Sequence, residues 1–272
     1  MMGAHHAATG SAAWVAVAGT GPLMLGWYPV SPSGLLVGSI VCGGAAMLPD
    51  ADHQSGTISN SLPPVSKVVT RAVSRLSGGH RRGTHSILGI AVATGLAVLV
   101  GLVGVETETF GRVAVGAGVL SLLLVAYAAR VTHLTDGNSW GRSWLLAAAV
   151  ATFITLYAPE EWEWLPVAVG LGFAVHIAGD MLTTGGVPLL WPWAPKPPRW
   201  WRKVNVLNDV WRSNGAVALP ILGDTGSRRE WTFAIPVTVY ATYGLLLGVL
   251  GLVDVSIGGV ALTSELRRVL GT

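Results

Sequence analysis

Seven apolar runs, at roughly 12–30, 35–49, 86–105, 113–129, 143–158, 165–182 and 233–253, limit what this chain can fold into. Most approach the ~20 residues that a helix needs to cross the hydrocarbon core of a bilayer. Only 11% of the residues are charged, and the mean hydropathy is +0.56. A soluble domain carries about a quarter charged residues, so water would not solvate this surface. The expected fold is therefore all-α, a polytopic helical membrane protein with about six to seven membrane segments. The second and fifth runs are short, and Pro22 and Pro29 interrupt the first. The first two runs read either as two spans or as a re-entrant hairpin, and in both cases the chain enters and leaves on one side.

Basic residues orient the chain. With the N-terminus inside, the cytoplasmic loops are 50–85, 130–142 and 183–232, and they hold 14 of the 17 Lys and Arg residues. The opposite side keeps Arg112 beside Glu106, Glu108, Glu160, Glu161 and Glu163, joined by Arg267 and Arg268 if the last run spans. The positive-inside rule favours this orientation. Trp27, Trp162 and Trp164 then mark the outer boundary, and Trp140, Trp144 and Trp231 the inner one. The net charge of +3 is explained by these loops, no segment resembles a nucleic-acid-binding module, and the expected partner is the lipid bilayer. Cys42, the only cysteine, excludes a disulfide framework and a cysteine metal cluster. The first run, lacking a Lys/Arg-rich leader, reads as a retained membrane segment rather than a signal peptide.

Two loop segments look more than connective. After Pro63-Pro64, Lys67, Arg71 and Arg75 recur beside Val65, Val69, Ala72, Val73 and Leu76, the pattern of a short amphipathic helix on an anionic leaflet. Residues 191–212 mix five tryptophans with Arg and Pro, as backbone in a headgroup layer would. The chain divides into a membrane-embedded unit at 1–192, a basic, Trp-rich interfacial loop at 193–232, and a C-terminal segment and tail at 233–272.

Four polar islands stand at the ends of the apolar runs. They read His5-His6-x-x-x-Gly10, Leu48-Pro49-Asp50-Ala51-Asp52-His53, His80-Arg81-Arg82-Gly83-Thr84-His85-Ser86, and His176-x-x-x-Asp180. Ionisable groups beside a bilayer are costly unless something uses them. The topology brings all four islands to the cytoplasmic face. His176 and Asp180, four apart, share one helix face, and Pro49 allows a turn that aims Asp50 and Asp52 together. Each island alone has a plainer reading: solvated histidines, a helix cap, a hydrogen-bonded pair or topogenic arginines. Together His6, Asp50, Asp52, His80, His85, His176 and Asp180 offer ligands for two divalent ions and room for a third. The imidazoles favour a zinc-like or iron-like metal over magnesium.

These motifs, extended by Thr183, Gly186, Trp191 and Pro192, resemble those of a bacterial inner-membrane family of metal-dependent hydrolases that includes a LexA-regulated type. The resemblance runs from about residue 2 to 192. It implies the same seven residues as metal ligands and a distant similarity to zinc-dependent phospholipase C. Arg82 is an extra basic residue within the third motif.

The expected function is a membrane-bound hydrolase that uses metal-activated water on a phosphoester, or another ester, of a lipid or amphiphile. Asp50 or Asp52 would accept the proton, Arg81 or Arg82 would hold a phosphate, and Thr84 or Ser86 would orient a ligand. A metal or proton transporter is the rival, but such proteins usually carry polar residues near the midplane, whereas these cluster at one end. A regulatory membrane protein without turnover is the third reading.

Overall fold

The computed structural model describes residues 1–135, 139–157 and 161–257. Asp136, Glu160, Arg267, Arg268 and the tail from 258 lie outside the described residues, as do the side chains of Glu161 and Trp162. The helices are α1 (Gly3–Ala18), α2 (Pro32–Ala45), α3 (Val65–Leu76), α4 (Ile87–Gly101), α5 (Val115–Val131), α6 (Trp140–Tyr157), α7 (Glu161–Met181), α8 (Asn205–Val210) and α9 (Arg228–Ile257). Short 3-10 turns cover Leu48–Asp52 and Gly83–His85.

Helix starts follow the local chemistry. Ser31 caps α2 by accepting the Gly34 N–H, with Pro32 supplying the fixed φ suited to a first helical residue. Ser86 caps α4 in the same way through the Gly89 N–H. α2 is the central helix and packs against α1, α5, α7 and α9. Glycine permits that closeness at two positions. A Cβ on Gly44 would lie 1.9 Å from the Leu124 carbonyl oxygen of α5, and one on Gly172 would lie 2.7 Å from the Cys42 oxygen of α2. Cys42 itself is buried as a small hydrophobe.

The outside of this bundle is apolar. Leu96 and Leu99 on α4, Leu145 and Phe153 on α6, and Ile235, Val239 and Leu246 on α9 are all exposed, a surface that needs hydrocarbon to cover it. Pro32–Asp52, Glu163–Met181 and Arg228–Val253 are long and apolar enough to cross a membrane, and α4, α5 and α6 are shorter apolar helices. The chain is a mostly helical, multi-spanning membrane protein.

Three expectations need correction. The fold is not purely helical, because β1 (Val105–Thr107) and β2 (Gly111–Val113) pair antiparallel, Val105 opposite Val113 and Thr107 opposite Gly111. Gly111 at φ +65° makes the turn that two β-branched ends can then close. The first apolar run is not one helix: α1 starts at Gly3 and stops at Ala18, and 19–31 is irregular, with Leu23, Leu25 and Trp27 exposed. Trp164, expected in an aromatic belt, does not face outward either; it is 2% exposed and packs against Trp14.

Candidate metal centre

Two helix ends and two short turns build one polar cluster. α1 supplies His5 and His6 in its first turns, and Leu48–Asp52 carries Asp50 and Asp52 directly after α2. The His80–His85 segment leads into α4, and the last turns of α7 present His176 and Asp180 on one face. The structure brings all seven expected ligands together in three overlapping groups, each with ligand atoms within 4.8 Å of one another. His6, His176 and Asp180 form the deepest group, Asp50, His85 and His176 the middle one, and Asp50, Asp52 and His80 the outermost. Asp50 and His176 are each shared by two groups.

The hydrogen bonds say which atoms are free. His176 Nδ1 lies 2.6 Å from the Ala46 carbonyl oxygen, which can only accept, so Nδ1 carries the hydrogen and Nε2 keeps its lone pair. That Nε2 lies 3.2 Å from His85 Nε2, 3.9 Å from an Asp50 oxygen and 3.8 Å from an Asp180 oxygen. The His6 and His176 rings stack with centroids 3.7 Å apart. His6 Nε2 approaches Asp180 to 3.3 Å, while its buried Nδ1 has no hydrogen-bond partner.

Asp52 is fully engaged: His80 Nδ1 lies 2.8 Å from Oδ1, and Oδ2 accepts the Arg81 N–H at 2.9 Å and the Thr84 hydroxyl at 2.6 Å. Among the described residues the Asp50 side chain makes only long contacts, 3.7 Å to His85 and 3.9 Å to His176, and it is 30% exposed. Burial alone would lower the His85 pKa; the Asp50 and Asp52 carboxylates on its two sides outweigh it and raise the imidazole to about 9.

Arg81 takes an unusual backbone, φ +56° in a residue with a Cβ. Its N–H on Asp52 and its guanidinium, with Nη2 2.9 Å from Asp180 Oδ2, hold that conformation. Gly185 leaves it room, since a Cβ there would lie 2.1 Å from Arg81 Nη1. The Met1 ammonium also meets Asp180, at 2.6 Å. Thr84 bonds Asp52 and approaches His85 Nδ1 to 3.0 Å, whereas Ser86 caps α4 and so serves the helix rather than a ligand.

The segment after α7 folds back over this end of the helices. Val187 and Val217 exchange backbone hydrogen bonds at 3.0 and 2.9 Å. Gly186, at φ +63°, allows the fold-back, because a Cβ would lie 2.8 Å from the Val217 oxygen. Beneath it is a cavity of about 450 Å³ whose wall includes His80, Arg81, Arg82, Trp191 and Asn214.

One buried carboxylate next to the cluster was not among the expected site residues. Glu230, at the start of α9 and fully buried, accepts the Met2 N–H at 2.6 Å and the Gly226 N–H at 2.8 Å, and pairs with His5 Nδ1 at 2.5 Å. It latches α9 to the first turn of α1, next to His6. A carboxylate at the head of an apolar run was the signal that could have found it, the same signal that marks the four islands. His53, outside the seven, stacks on His80 at 4.7 Å.

The donor set fits divalent metal. Three carboxylates and four imidazoles crowd one end of the helices, a set of oxygen and nitrogen donors that could coordinate divalent ions. The orphaned His6 nitrogen and the fixed tautomer of His176 fit ligation as well.

A family model described as YdjM inner membrane protein matches residues 1–136 and 139–251. The chain belongs to this family. Two relatives called "Inner membrane protein YdjM", from Escherichia coli (strain K12) and Shigella flexneri, are each 26% identical over 170 residues. The match covers 61% of this chain and 50% of either relative, so it spans about half their length. No solved structure matches. The family name speaks of the inner membrane and of no reaction; with the apolar helices it makes the chain a multi-pass inner-membrane protein.

Proposed function

We propose that the protein is a membrane-bound, metal-dependent hydrolase acting on a phosphoester, or another ester, of a lipid or amphiphile. The observation that carries this reading is the meeting of seven ligand-type side chains from four segments beside a cavity that Arg82 helps to line. His6, Asp50, Asp52, His80, His85, His176 and Asp180 would hold the metal, and the imidazole-rich set suits zinc. When bound, such ions lower the pKa of water toward neutrality and polarise the bond to be cut.

The chain's own groups divide the remaining work. Asp50, with its long contacts and partial exposure, is the carboxylate suited to take a proton. Asp52 is held by three donors and serves to orient His80, Arg81 and Thr84. Arg81 is tied to Asp180, so a substrate phosphoryl oxygen falls to Arg82, with Asn214 and the Trp191 ring in the same wall. The basic loops support a site and N-terminus facing the cytoplasm. The unit at 1–192 would then hold the chemistry, 193–232 would cover it at headgroup depth, and 233–272 would anchor it.

The test is turnover of bis(p-nitrophenyl) phosphate and of a carboxylic ester by chain reconstituted in nanodiscs, stripped with chelator and reloaded with zinc. Hydrolysis restored by zinc and lost in Asp50→Asn and His176→Ala is the expected result. Zinc flux in proteoliposomes with neither ester hydrolysed would overturn the reading in favour of transport.

A further inference from the structure

α3 has three faces. At 3.6 residues per turn, Val65, Val68, Val69, Ala72 and Leu76 share one face, Ser66 and Thr70 a second, and Lys67, Arg71 and Arg75 a third. The buried face is the hydroxyl one. Ser66 Oγ donates to the Ser59 carbonyl at 2.7 Å and accepts the Leu62 N–H at 3.1 Å, and Thr70 Oγ1 donates to Ser59 Oγ at 3.2 Å. The apolar face points away from the protein, with Val65 59%, Val68 61% and Leu76 82% exposed. A helix facing water would do the reverse, burying its valines and hydrating its serines. The basic residues flank the apolar face on the outside, and residues 54–82 contain no Asp or Glu.

We propose that α3 is a docking helix for anionic lipid. Its apolar face lies at the boundary between acyl chains and headgroups, and Lys67, Arg71 and Arg75 bind the headgroup phosphates. Charge decides the occupant: a row of three cations beside exposed valines fits an anionic lipid surface better than a second copy of the same cationic helix. The inference does not depend on the chemistry of the metal centre, but it bears on where that centre sits. Ser59, which α3 grips, follows Asp52 by seven residues, and α3 runs on through Ser77, Gly78 and Gly79 into His80. Docking α3 therefore fixes two of the four ligand-bearing segments at headgroup depth.

The experiment uses the whole chain in nanodiscs containing phosphatidylcholine and phosphatidylglycerol. The only native cysteine is buried, so Val68→Cys can be labelled with an environment-sensitive fluorophore, with Gln54→Cys as the water-facing control. Nitroxide high on the acyl chain should quench position 68 about threefold more than position 54. Nitroxide on phosphatidylglycerol should outdo that on phosphatidylcholine about twofold at low salt. Combined Lys67→Gln, Arg71→Gln and Arg75→Gln should abolish the difference between lipids while keeping position 68 quenched, which also shows that the variant is folded. Equal quenching at positions 68 and 54, or equal quenching by both lipids in the basic chain, would overturn the proposal. So would a label shielded from both lipids that cross-links through position 68 to a second copy.

Discussion

Replacing Asp52 by asparagine keeps the shape of the side chain and removes the charge that three donors share. In the folded chain Oδ1 meets His80 Nδ1, and Oδ2 accepts from the Arg81 N–H and the Thr84 hydroxyl. The amide must turn its NH₂ toward one of these partners. Facing Arg81 and Thr84 would set donor against donor, so the cheaper choice faces His80, whose ring can move its proton from Nδ1 to Nε2. That move removes the Nε2 lone pair which His80 offers while Nδ1 bonds the carboxylate. Hydrogen bonds to a charged group contribute about 1.5–3 kcal/mol and neutral ones about 1. Losing roughly 1 kcal/mol at each of three bonds would cost about 3 kcal/mol of fold stability, and the lost His80 lone pair with the misoriented ligands would cost about 10–100-fold in metal affinity. Competition between the detergent-solubilised protein and a chromogenic chelator for zinc measures this, with Asp209→Asn, an exposed carboxylate on α8, as control. Zinc affinity and stoichiometry within about threefold of the unsubstituted chain would show that Asp52 does not order the ligands.

Two further outcomes follow from the structure. The His85 pKa is raised from 6.5 to about 9, so its ion pairs stabilise the chelator-treated fold fully below about 6.5 and are lost as pH rises through about 9. Thermal melts of that form should fall in temperature across this window, and His85→Ala should flatten the slope; an equal slope in the variant would show that another group titrates. Gly44→Ala pushes a Cβ onto the Leu124 carbonyl, whereas Gly95→Ala meets open space. The first should lower stability by about 1–3 kcal/mol, and equal melting temperatures for the two would contradict the close packing of α2 on α5.

The sequence made some elements readable and hid others for physical reasons. α3 was legible because its basic and apolar residues recur at helical spacing, and the positions of the seven ligand candidates were legible because charged groups stand out in an apolar chain. Which way α3 faces was not, since only tertiary packing reveals that Ser66 and Thr70 are the buried residues. The β1–β2 hairpin lay in the link between two apolar runs, where three-residue strands leave no periodicity to detect. Glu230 itself stood out as a carboxylate at the head of an apolar run, but its pairing with His5 joins positions 225 apart, beyond any local pattern. The different hydrogen bonding of Asp50 and Asp52 was equally hidden, because it depends on which oxygens the His80–Thr84 turn happens to reach.

Metal content per chain decides whether the four segments share one metal centre. Elemental analysis of protein purified without chelator should find two or more divalent ions per chain. Because Asp50 and His176 bridge the three groups, His176→Ala should empty more than one position in a still-folded protein. A chain that binds no divalent metal, or one that keeps its full complement in His176→Ala, would contradict the account.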